Sequence, residues 1–345
     1  MTIQRGQAPL PDLFGVEALN TINEQVKGTS QEEGLAPADG WTKIMASVAC
    51  KFDNTCIPQQ TEIVSSWRRD SLEFAPAAEG TEEEILSALA VPTLTNVVMA
   101  GFIRDNGFAS AQNRGRFYVC RNQADKLEGV ALIGHSILFE ASSESAIEGF
   151  ASVARRDPSP HLLMGEHNAV QRFWSYYSND EQAPRHVCPV LFLRRGEQFQ
   201  LRQDVPELRL ARPEDLEPIV RAQAAMAVET SGVDPLRKDP IGFRQRYLRR
   251  IDKNRVWVLM QNHRLIFKLD VITETPDATY IEGVYVTREE RGKGVGQNCL
   301  AAVGRKLLER TKAVHLFVEH ENTRTIAFYL KLGFDIAGQY DLLYF

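Results

Sequence analysis

The chain has 345 residues, of which 43% are hydrophobic and 25% are charged, so a folded protein with a sizeable buried core is expected. Its formal net charge of -5 argues against a general basic surface for nucleic acid or for an anionic membrane. At roughly 150 residues per domain, a chain of this length is expected to contain two or three domains.

The cysteines and the apolar segments exclude several further classes of protein. No two cysteines have the C-x-x-C spacing of a zinc or redox site, so we predict no metal site. The five are Cys50, Cys56, Cys120, Cys188 and Cys299. We expect these cysteines to serve as small apolar side chains in a protein of a reducing compartment. The first residues lack the apolar core of a signal peptide, and the most apolar stretches, such as 129–139, are too short to span a bilayer. These features predict a cytoplasmic protein.

Residues 1–70 form a predicted N-terminal extension that is partly flexible. Gly28–Gly40 is polar and rich in Gly, Glu, Ala and Pro, which is typical of a flexible linker. Trp41–Phe52 fits a short helix. The sequence predicts no function for this segment.

The C-terminal part, 205–345, has a clear pattern of elements. A strand at Leu208 runs into a helix start at Pro213, and a helical region continues to about Arg250. Three strands joined by short polar turns follow, and then a Gly-rich loop and a helix. A strand, a helix and a last strand complete the segment. The strands are predicted at 256–260, 264–272, 279–286, 314–318 and 340–345, and the last helix at 323–332.

Residues 71–200 show the same order of elements with weak residue identity. Phe117-Tyr-Val-Cys parallels Val256-Trp-Val-Leu, and His161-Leu-Leu-Met parallels His315-Leu-Phe-Val. Leu72-Glu-Phe-Ala-Pro also parallels Leu208-Arg-Leu-Ala-Arg-Pro, and Lys126-Leu-Glu-Gly parallels Arg264-Leu-Ile-Phe. These four parallels occur in the same order in both segments, which indicates an internal repeat. The first copy lacks a Gly-rich loop, since its corresponding segment, Ser142–Ser145, has the Ser and Glu pattern of a simple helix start.

The strongest local signal is Arg291-Gly292-Lys293-Gly294-Val295-Gly296, which follows a strand and opens a helix. A helix N-terminus presents backbone N–H groups without partners and a partial positive charge. Glycines allow that backbone to approach a ligand closely, and the two cations add charge. The loop is therefore suited to a pyrophosphate.

Two nucleotide-binding motifs fit this loop poorly. A P-loop needs G-x-x-x-x-G-K-[ST], and no Gly-Lys here is followed by Ser or Thr. A dinucleotide fingerprint needs a third glycine where this chain has Gln297. The glycines can also be explained as a tight strand-to-helix turn, although three glycines beside two cations exceed what such a turn needs.

The segment Glu282–Gly296 resembles the coenzyme A motif of the GCN5-related N-acetyltransferases (GNATs), Arg/Gln-x-x-Gly-x-Gly/Ala, through Arg291, Gly294 and Gly296. A second block, Asn322–Phe334, is similar to the family's pattern of Asn, Ala, Phe-Tyr and Gly-Phe. The resemblance implies an α/β (α+β) fold of two tandem GNAT-like units, each a mixed, mostly antiparallel sheet flanked by helices. The expected domains are a degenerate unit at 71–200, without the coenzyme A loop, and an N-acetyltransferase unit at 205–345. The layout is similar to the tandem acetyltransferases of bacteria.

The resemblance also implies a cofactor, acetyl-CoA, as co-substrate, and a set of residues that would bind it. The loop would hold the pyrophosphate, and the pantetheine arm would lie between the strand ending at Val286 and the strand starting at Val314. A backbone N–H near Val284 or Tyr285 would face the thioester oxygen. The predicted cofactor-binding residues are Val284, Tyr285, Val286, Arg291, Gly292, Lys293, Gly294, Val295, Gly296, Asn322 and Phe328.

Two side chains are predicted to be catalytic. Tyr329 occupies the position that in this family protonates the departing thiolate, but it can equally pack as a core aromatic residue. An amine must lose a proton before it attacks, and Glu282 is the first candidate for the base, with Glu229 and Glu319 next. Glu282 can also be an outward-facing strand residue. Asn322 can bind the cofactor arm or cap a helix.

Three functions from different classes are compatible with these residues. The first is an N-acetyltransferase that moves an acetyl group to an amine by direct attack in a ternary complex. The second is a non-catalytic acyl-CoA sensor, and the third is an aminoacyl-transferase, which the acidic net charge disfavours. The acceptor would be a small-molecule amine, an amino acid or a protein amine, with no nucleic-acid or membrane partner. A monomer and a homodimer are both compatible with the sequence.

Overall fold

The computed structural model describes residues 67–69, 71–178, 183–201 and 203–345. The predicted linker at Gly28–Gly40, the predicted helix at Trp41–Phe52, and Cys50 and Cys56 lie outside these residues. Within the described part of the chain, no helix has the length and apolarity that crossing a membrane would require.

The first copy of the repeat contains seven strands and four α-helices among its described residues. Each helix begins where the sequence supplies a cap or a break: Thr93 accepts a hydrogen bond from the Asn96 amide, and Ser143 accepts one from Ala146. The elements are β1 (Trp67–Arg69), β2 (Leu72–Pro76), α1 (Glu82–Ala88), α2 (Leu94–Asn106), β3 (Gly115–Arg121), β4 (Leu127–Gly134), β5 (Ser136–Ala141), α3 (Glu144–Ala154), β6 (Leu162–Glu166), α4 (His167–Tyr177) and β7 (His186–Arg195).

From β2 onward the second copy repeats this order, with three α-helices where the first copy has two, and β1 has no counterpart. The Arg209 guanidinium and the backbone N–H of Arg212 both donate to the Asp215 carboxylate, which fixes the turn between its first strand and first helix. The elements are β8 (Leu208–Leu210), α5 (Leu216–Ser231), α6 (Pro235–Lys238), α7 (Pro240–Asp252), β9 (Val256–Gln261), β10 (Arg264–Glu274), β11 (Thr279–Val286), α8 (Val295–Leu308), β12 (Val314–Glu319), α9 (Thr323–Lys331) and β13 (Asp335–Tyr344). The matching order confirms the internal repeat.

The thirteen strands of the described residues form one continuous sheet in the order β1-β2-β3-β4-β5-β6-β13-β7-β12-β11-β10-β9-β8. Only β5–β6 and β11–β12 pair in parallel; the other pairs are antiparallel. Helices α2, α5 and α7 pack on one face, and α3 and α4 pack on the other. The sheet is therefore mixed and mostly antiparallel with helices on both faces, as predicted.

The last strand of each copy lies in the sheet of the other copy. β7 pairs with β12 from Val190–Glu319 to Arg195–Val314, and β13 pairs with β6 from Tyr340–Glu166 to Tyr344–Leu162. The two exchanged strands also pair with each other along nearly their whole length. Because β7 and β13 each pair with a strand of the other copy, neither sheet is complete without the other copy.

Helix α2 strengthens the connection on one face of the sheet, because it belongs to the first copy but packs on β10 of the second. Gly101 allows the approach, since a Cβ at this position would lie 1.4 Å from the Thr273 Oγ1 atom. At the end of α2 the Arg255 guanidinium of the second copy donates to the Asp105 carboxylate, with one Nη–Oδ distance of 2.8 Å. Side chains of both copies thus share one apolar core.

Two elements differ from the sequence-based expectation. Helix α2 was not predicted, because Leu94–Asn106 is apolar on nearly all sides and lacks the helical polar face that signals an amphipathic helix. The last strand begins at Asp335 rather than at about 340, because its polar first half pairs with β7. Both differences arise where tertiary packing on the other copy overrides the local pattern.

The strand exchange predicts that the second copy does not fold alone. A fragment of residues 203–345 lacks β7, so β12 loses its antiparallel partner and β13 has no neighbour on either side. We expect this fragment to aggregate or to show little cooperative thermal unfolding by circular dichroism. A fragment of residues 183–345, which retains β7, is the matched control and should recover part of the cooperative transition. Cooperative unfolding of 203–345 with the same midpoint as the full chain would contradict the prediction.

Candidate active site

Strands β11 and β12 separate soon after they begin, and this opening is the centre of the site. They pair only at Thr279–Val314 and Tyr280–His315. The later residues of β11 continue to pair with β10, whereas those of β12 pair with β7. The edges of the two strands that face each other are therefore open between these pairs and the strand ends. The predicted separation of these strands is present.

A β-bulge lies on β11 beside this opening. Glu282 is paired with Asp270 and Tyr285 with Lys268, so two residues of β11, Gly283 and Val284, are opposite a single residue of β10. Gly283 has a φ of 58°, which favours glycine. The bulge removes the Gly283–Val284 peptide from the regular ladder at the level where the strands part.

The loop after β11 is shaped by two left-handed glycines. Gly292 and Gly294 have φ values of 78° and 81°, and Gly294 is the N-cap of α8. The Arg291 Nε donates to the Val286 carbonyl at 3.0 Å and ties the loop to the end of β11. Gly296 lies against β11, since a Cβ there would be 3.0 Å from a Val286 methyl group. The N-terminus of α8 is thus exposed beside the opening, which suits it to an anionic ligand.

A cavity of about 320 Å³ lies beside this loop and the last residues of β11. Helix α5 contributes Met226 and Glu229 to its wall, and α9 contributes Phe328. Of the predicted cofactor-binding residues, eight line the cavity: Val284, Tyr285, Val286, Arg291, Gly292, Gly294, Gly296 and Phe328. Lys293, Val295 and Asn322 do not belong to its wall; the first two adjoin wall residues in sequence, and Asn322 is two residues before Arg324.

Several wall residues were not predicted from the sequence: Met226, Glu290, Gln297, Arg324, Ala327 and Lys331. Four positions of α9, namely 324, 327, 328 and 331, have the spacing of a single helix face. This periodicity was a usable signal, because it places two cations on the same face as Phe328. No comparable signal exists for Met226, whose position depends on how α5 packs on the sheet.

Glu282 lies on the α5 face of β11 in a buried polar cluster. Its side chain is 7% exposed, and the Tyr280 hydroxyl donates to it. The neighbouring Lys268 ammonium donates to Asp270 at 2.7 Å, and the Tyr247 hydroxyl also donates to Asp270, at 3.1 Å. Glu282 is therefore an inward-facing residue, and the outward-facing alternative does not apply.

The other two candidate bases have different surroundings. Glu229 is on the cavity wall, where burial raises the pKa of its carboxyl and the Arg291 charge opposes that rise. Glu319 is half-buried at the end of β12, on the same face of the sheet as Phe317. The structure thus places one carboxylate on the cavity wall and two others on the strands that border the opening.

Tyr329 is 1% exposed in the core beneath the cavity, whereas its neighbour Phe328 faces the cavity. Its ring makes edge contacts with Phe328 and Phe334, with centroid distances of 5.1 Å and 5.4 Å. Burial raises the pKa of its phenol, so the hydroxyl is protonated at neutral pH and can act as a hydrogen-bond donor.

Other reactive side chains do not form an alternative centre. Cys299 is fully buried in α8, and burial raises the pKa of its thiol to about 12, which opposes nucleophilic use. Burial lowers the pKa of His315 to about 3, so this imidazole is neutral. Within the described ranges, no group of three His, Cys, Asp or Glu side chains is placed to hold a metal ion.

The corresponding strands of the first copy lie beside an apolar cluster. β5 and β6 also pair at only two positions before they part. Phe139 of β5 stacks on Phe173 of α4, with ring centroids 4.8 Å apart, in a core cluster that also contains Leu163 of β6. The helix that follows, α3, has Ser143 as its cap and Glu144 in its first turn, which would repel a phosphate. The first copy therefore keeps the strands but lacks the features that would hold an anionic ligand.

Comparisons with known proteins agree with this geometry. Residues 236–334 match the model of the acetyltransferase (GNAT) family. A Drosophila protein of known structure has 12% sequence identity and a TM-score of 0.60, covering 79% of this chain and 98% of its own. A tandem GNAT protein from the clavulanic acid biosynthesis pathway has 16% identity and a TM-score of 0.50, covering 79% and 97%. No curated protein sequence matches the chain.

At these identities the solved structures establish the fold and leave the reaction open. The family match covers the loop, α8 and most of α9, which are the elements that form the cavity. The fold of the tandem protein extends over both copies. We therefore identify residues 236–334 as an acetyltransferase domain of the GNAT family, in a chain whose two halves share the GNAT fold.

Proposed function

We propose that the chain is an acyl-CoA-dependent N-acetyltransferase that moves an acetyl group from acetyl-CoA to an amine by direct attack in a ternary complex. The observation that supports this most is the coincidence of three features in the second copy. The parted strands, the left-handed glycine loop at a helix N-terminus and the 320 Å³ cavity all adjoin one another. The first copy has the parted strands, but the helix that follows them begins at Ser143 without a glycine loop.

The residues present fit acetyl-CoA. Gly292 and Gly294, both with positive φ, have no side chain that could cover the start of α8. Arg291, Arg324 and Lys331 line the same cavity. These groups would hold the pyrophosphate by backbone N–H donation and by charge. The unpaired edges of β11 and β12 supply N–H and C=O groups for the amides of the pantetheine arm. When bound, acetyl-CoA supplies an acetyl group activated as a thioester.

The chain's own side chains supply the proton transfers in this proposal. Glu282 is the proposed base that removes a proton from the acceptor amine, directly or through water, and Glu229 and Glu319 remain the alternatives. The Tyr329 hydroxyl is the proposed donor to the departing thiolate. The backbone N–H of Val284 is the proposed donor to the thioester oxygen, and both reactants are held in one cleft.

The first measurement is acetyl-CoA binding by calorimetry. We expect the wild type to bind and Gly294→Trp to lose binding, because the new side chain strains a left-handed position and covers the start of α8. Gly80→Trp is the matched control, since Gly80 is an exposed left-handed glycine far from the cavity, with a φ of 90°. This control should bind normally. Absence of wild-type binding to acetyl-CoA, longer acyl-CoAs and free CoA would contradict the proposed function.

Asn322 allows helix capping and ligand binding to be separated. Its Oδ1 accepts from the Thr325 amide at 3.1 Å, while its buried Nδ2 has no hydrogen-bond partner among the described residues. Asn322→Ala should lower the free energy of unfolding by about 1 kcal/mol through loss of the cap. Asn322→Ser should keep the cap but lose the Nδ2 donor. If Nδ2 binds the cofactor arm, calorimetry will show weaker acetyl-CoA binding in both variants, whereas urea denaturation will show lower stability only in the alanine variant. If both variants bind acetyl-CoA with full affinity, Asn322 serves only as a helix cap.

The choice of base is tested by replacing each carboxylate with its amide. Glu282→Gln should lower kcat by roughly 10²–10⁴-fold, the usual contribution of a general base, with little change in the KM for acetyl-CoA. The remaining rate should rise with pH, because the free amine then becomes more abundant in solution. Glu229→Gln and Glu319→Gln are the matched comparisons. If either of these variants loses most of its kcat while Glu282→Gln stays near wild type, the base is the residue replaced in that variant and Glu282 is not.

A further inference from the structure

The fully buried Lys268 has no role in the reaction outlined above. It lies on β10 with 0% of its side chain exposed, and desolvation lowers the pKa of its ammonium while the Asp270 carboxylate opposes that shift. Its Nζ donates to Asp270 at 2.7 Å and to the Gly283 carbonyl oxygen at 3.1 Å. A buried charge is costly, so its second contact, with the backbone of the bulge, needs an explanation.

The Gly283 carbonyl belongs to the same peptide group as the Val284 N–H. A trans peptide is planar, and its C=O and N–H point in opposite directions. Among the described residues no peptide bond is cis. Lys268 holds the oxygen, so the N–H of Val284 points away from the Lys268 ammonium. Val284 lines the cavity.

The backbone conformation at the bulge depends on this contact. A Cβ on Gly283 would lie 2.6 Å from the Lys268 Nζ and 2.9 Å from the Asp270 carboxylate, so a side chain at this position would displace the ammonium. Neither Gly283 nor Val284 has a register partner on β10 or β12. The ladder therefore does not fix the orientation of the peptide, whereas the Lys268 hydrogen bond does.

Lys268 is itself held from several sides. Asp270 accepts from the Tyr247 hydroxyl at 3.1 Å, and the Arg250 guanidinium lies 3.6 Å from the same carboxylate oxygen. The Lys268 Nζ is also 5.6 Å from the centre of the Tyr247 ring. Because its partners are fixed by α7 and β10, the ammonium is placed before any ligand arrives, as an electrostatic device of this kind requires.

We infer that Lys268 is a positioning residue for the acyl group: it orients and polarises the Gly283–Val284 peptide so that the Val284 N–H donates to the thioester oxygen. A cation on the carbonyl draws electron density from the amide and strengthens the N–H as a donor. This inference rests on the proposed function, since it assigns a role within the same site. Lys268 acts through the backbone and does not touch the acetyl group.

The test uses the full chain and acetyl-CoA labelled with ¹³C at the acetyl carbonyl. Difference infrared spectroscopy should show that wild-type protein shifts the bound carbonyl stretch to lower wavenumber. Lys268→Met should lose most of this shift while acetyl-CoA affinity stays close to wild type. The slow hydrolysis of acetyl-CoA without an acceptor should fall roughly tenfold or more, less than the ~10²–10³-fold lost when an oxyanion donor itself is removed.

Two further variants separate positioning from folding. Lys268→Met leaves Asp270 without its ammonium partner, so Lys268→Met combined with Asp270→Asn removes that buried charge and should restore stability but not the carbonyl shift. Gly283→Ala leaves Lys268 in place but displaces its ammonium, and should reduce the shift in the same way. Lys253→Met, at the exposed end of α7, is the matched control and should resemble wild type.

The outcomes distinguish this inference from the proposed function. An unchanged carbonyl shift in variants that fold and bind acetyl-CoA would overturn the role of Lys268 and leave the transferase proposal intact. A lowered affinity with an unchanged shift would also overturn it, since the residue would then serve binding or stability. Failure of the wild type to bind acetyl-CoA would overturn both.

Discussion

The pairing of the two exchanged strands, β7 and β13, is the constraint on which the rest of the structure depends. Each strand completes the sheet of the copy to which it does not belong, and the two pair with each other at the junction. Had each strand returned to its own copy, two separate sheets would each present an unpaired edge. The exchange converts two marginal units into one sheet with one shared core.

The same junction determines where the site can open. β12 is held by β7 on one side, so it does not need β11 along its full length, and the two strands part after two residue pairs. Parting would normally leave unsatisfied backbone groups in a buried place. Here the opening is bordered by a helix N-terminus and by polar side chains, and a ligand with amides and phosphates matches both. The sheet therefore tolerates the opening between β11 and β12, because β11 stays paired with β10 and β12 stays paired with β7.

The two copies show how one fold can keep or lose such a site. In the second copy glycines expose the start of α8 and cations surround it. In the first copy Phe139 and Phe173 stack beside the parted strands, and Glu144 lies in the first turn of the corresponding helix. The first copy nevertheless contributes β7 and helix α2, and α2 covers the sheet beside Thr273. It supports the site through packing and strand pairing.

The sequence by itself determined the local parts of this protein. The glycines of the loop, the periodicity of α8, the repeat of elements and the apolar surroundings of Cys299 depend on residues close together in the chain, and the structure confirms each of them. The separation of β11 and β12 was implied by family resemblance, and the structure contains it. The catalytic roles of Glu282 and Tyr329 remain predictions.

Only the tertiary structure decided which strand pairs with which and which side chains meet. The strand exchange joins residues as far apart as Tyr340 and Glu166 in the chain, and no short sequence pattern encodes such a pairing. The contact of Lys268 with Gly283 depends on a β-bulge, because a regular register would place that carbonyl elsewhere. Sequence patterns determine which face of a single helix or strand is buried. Strand registers and bulges depend instead on contacts between residues far apart in the chain. Those registers and bulges position the side chains of the candidate site.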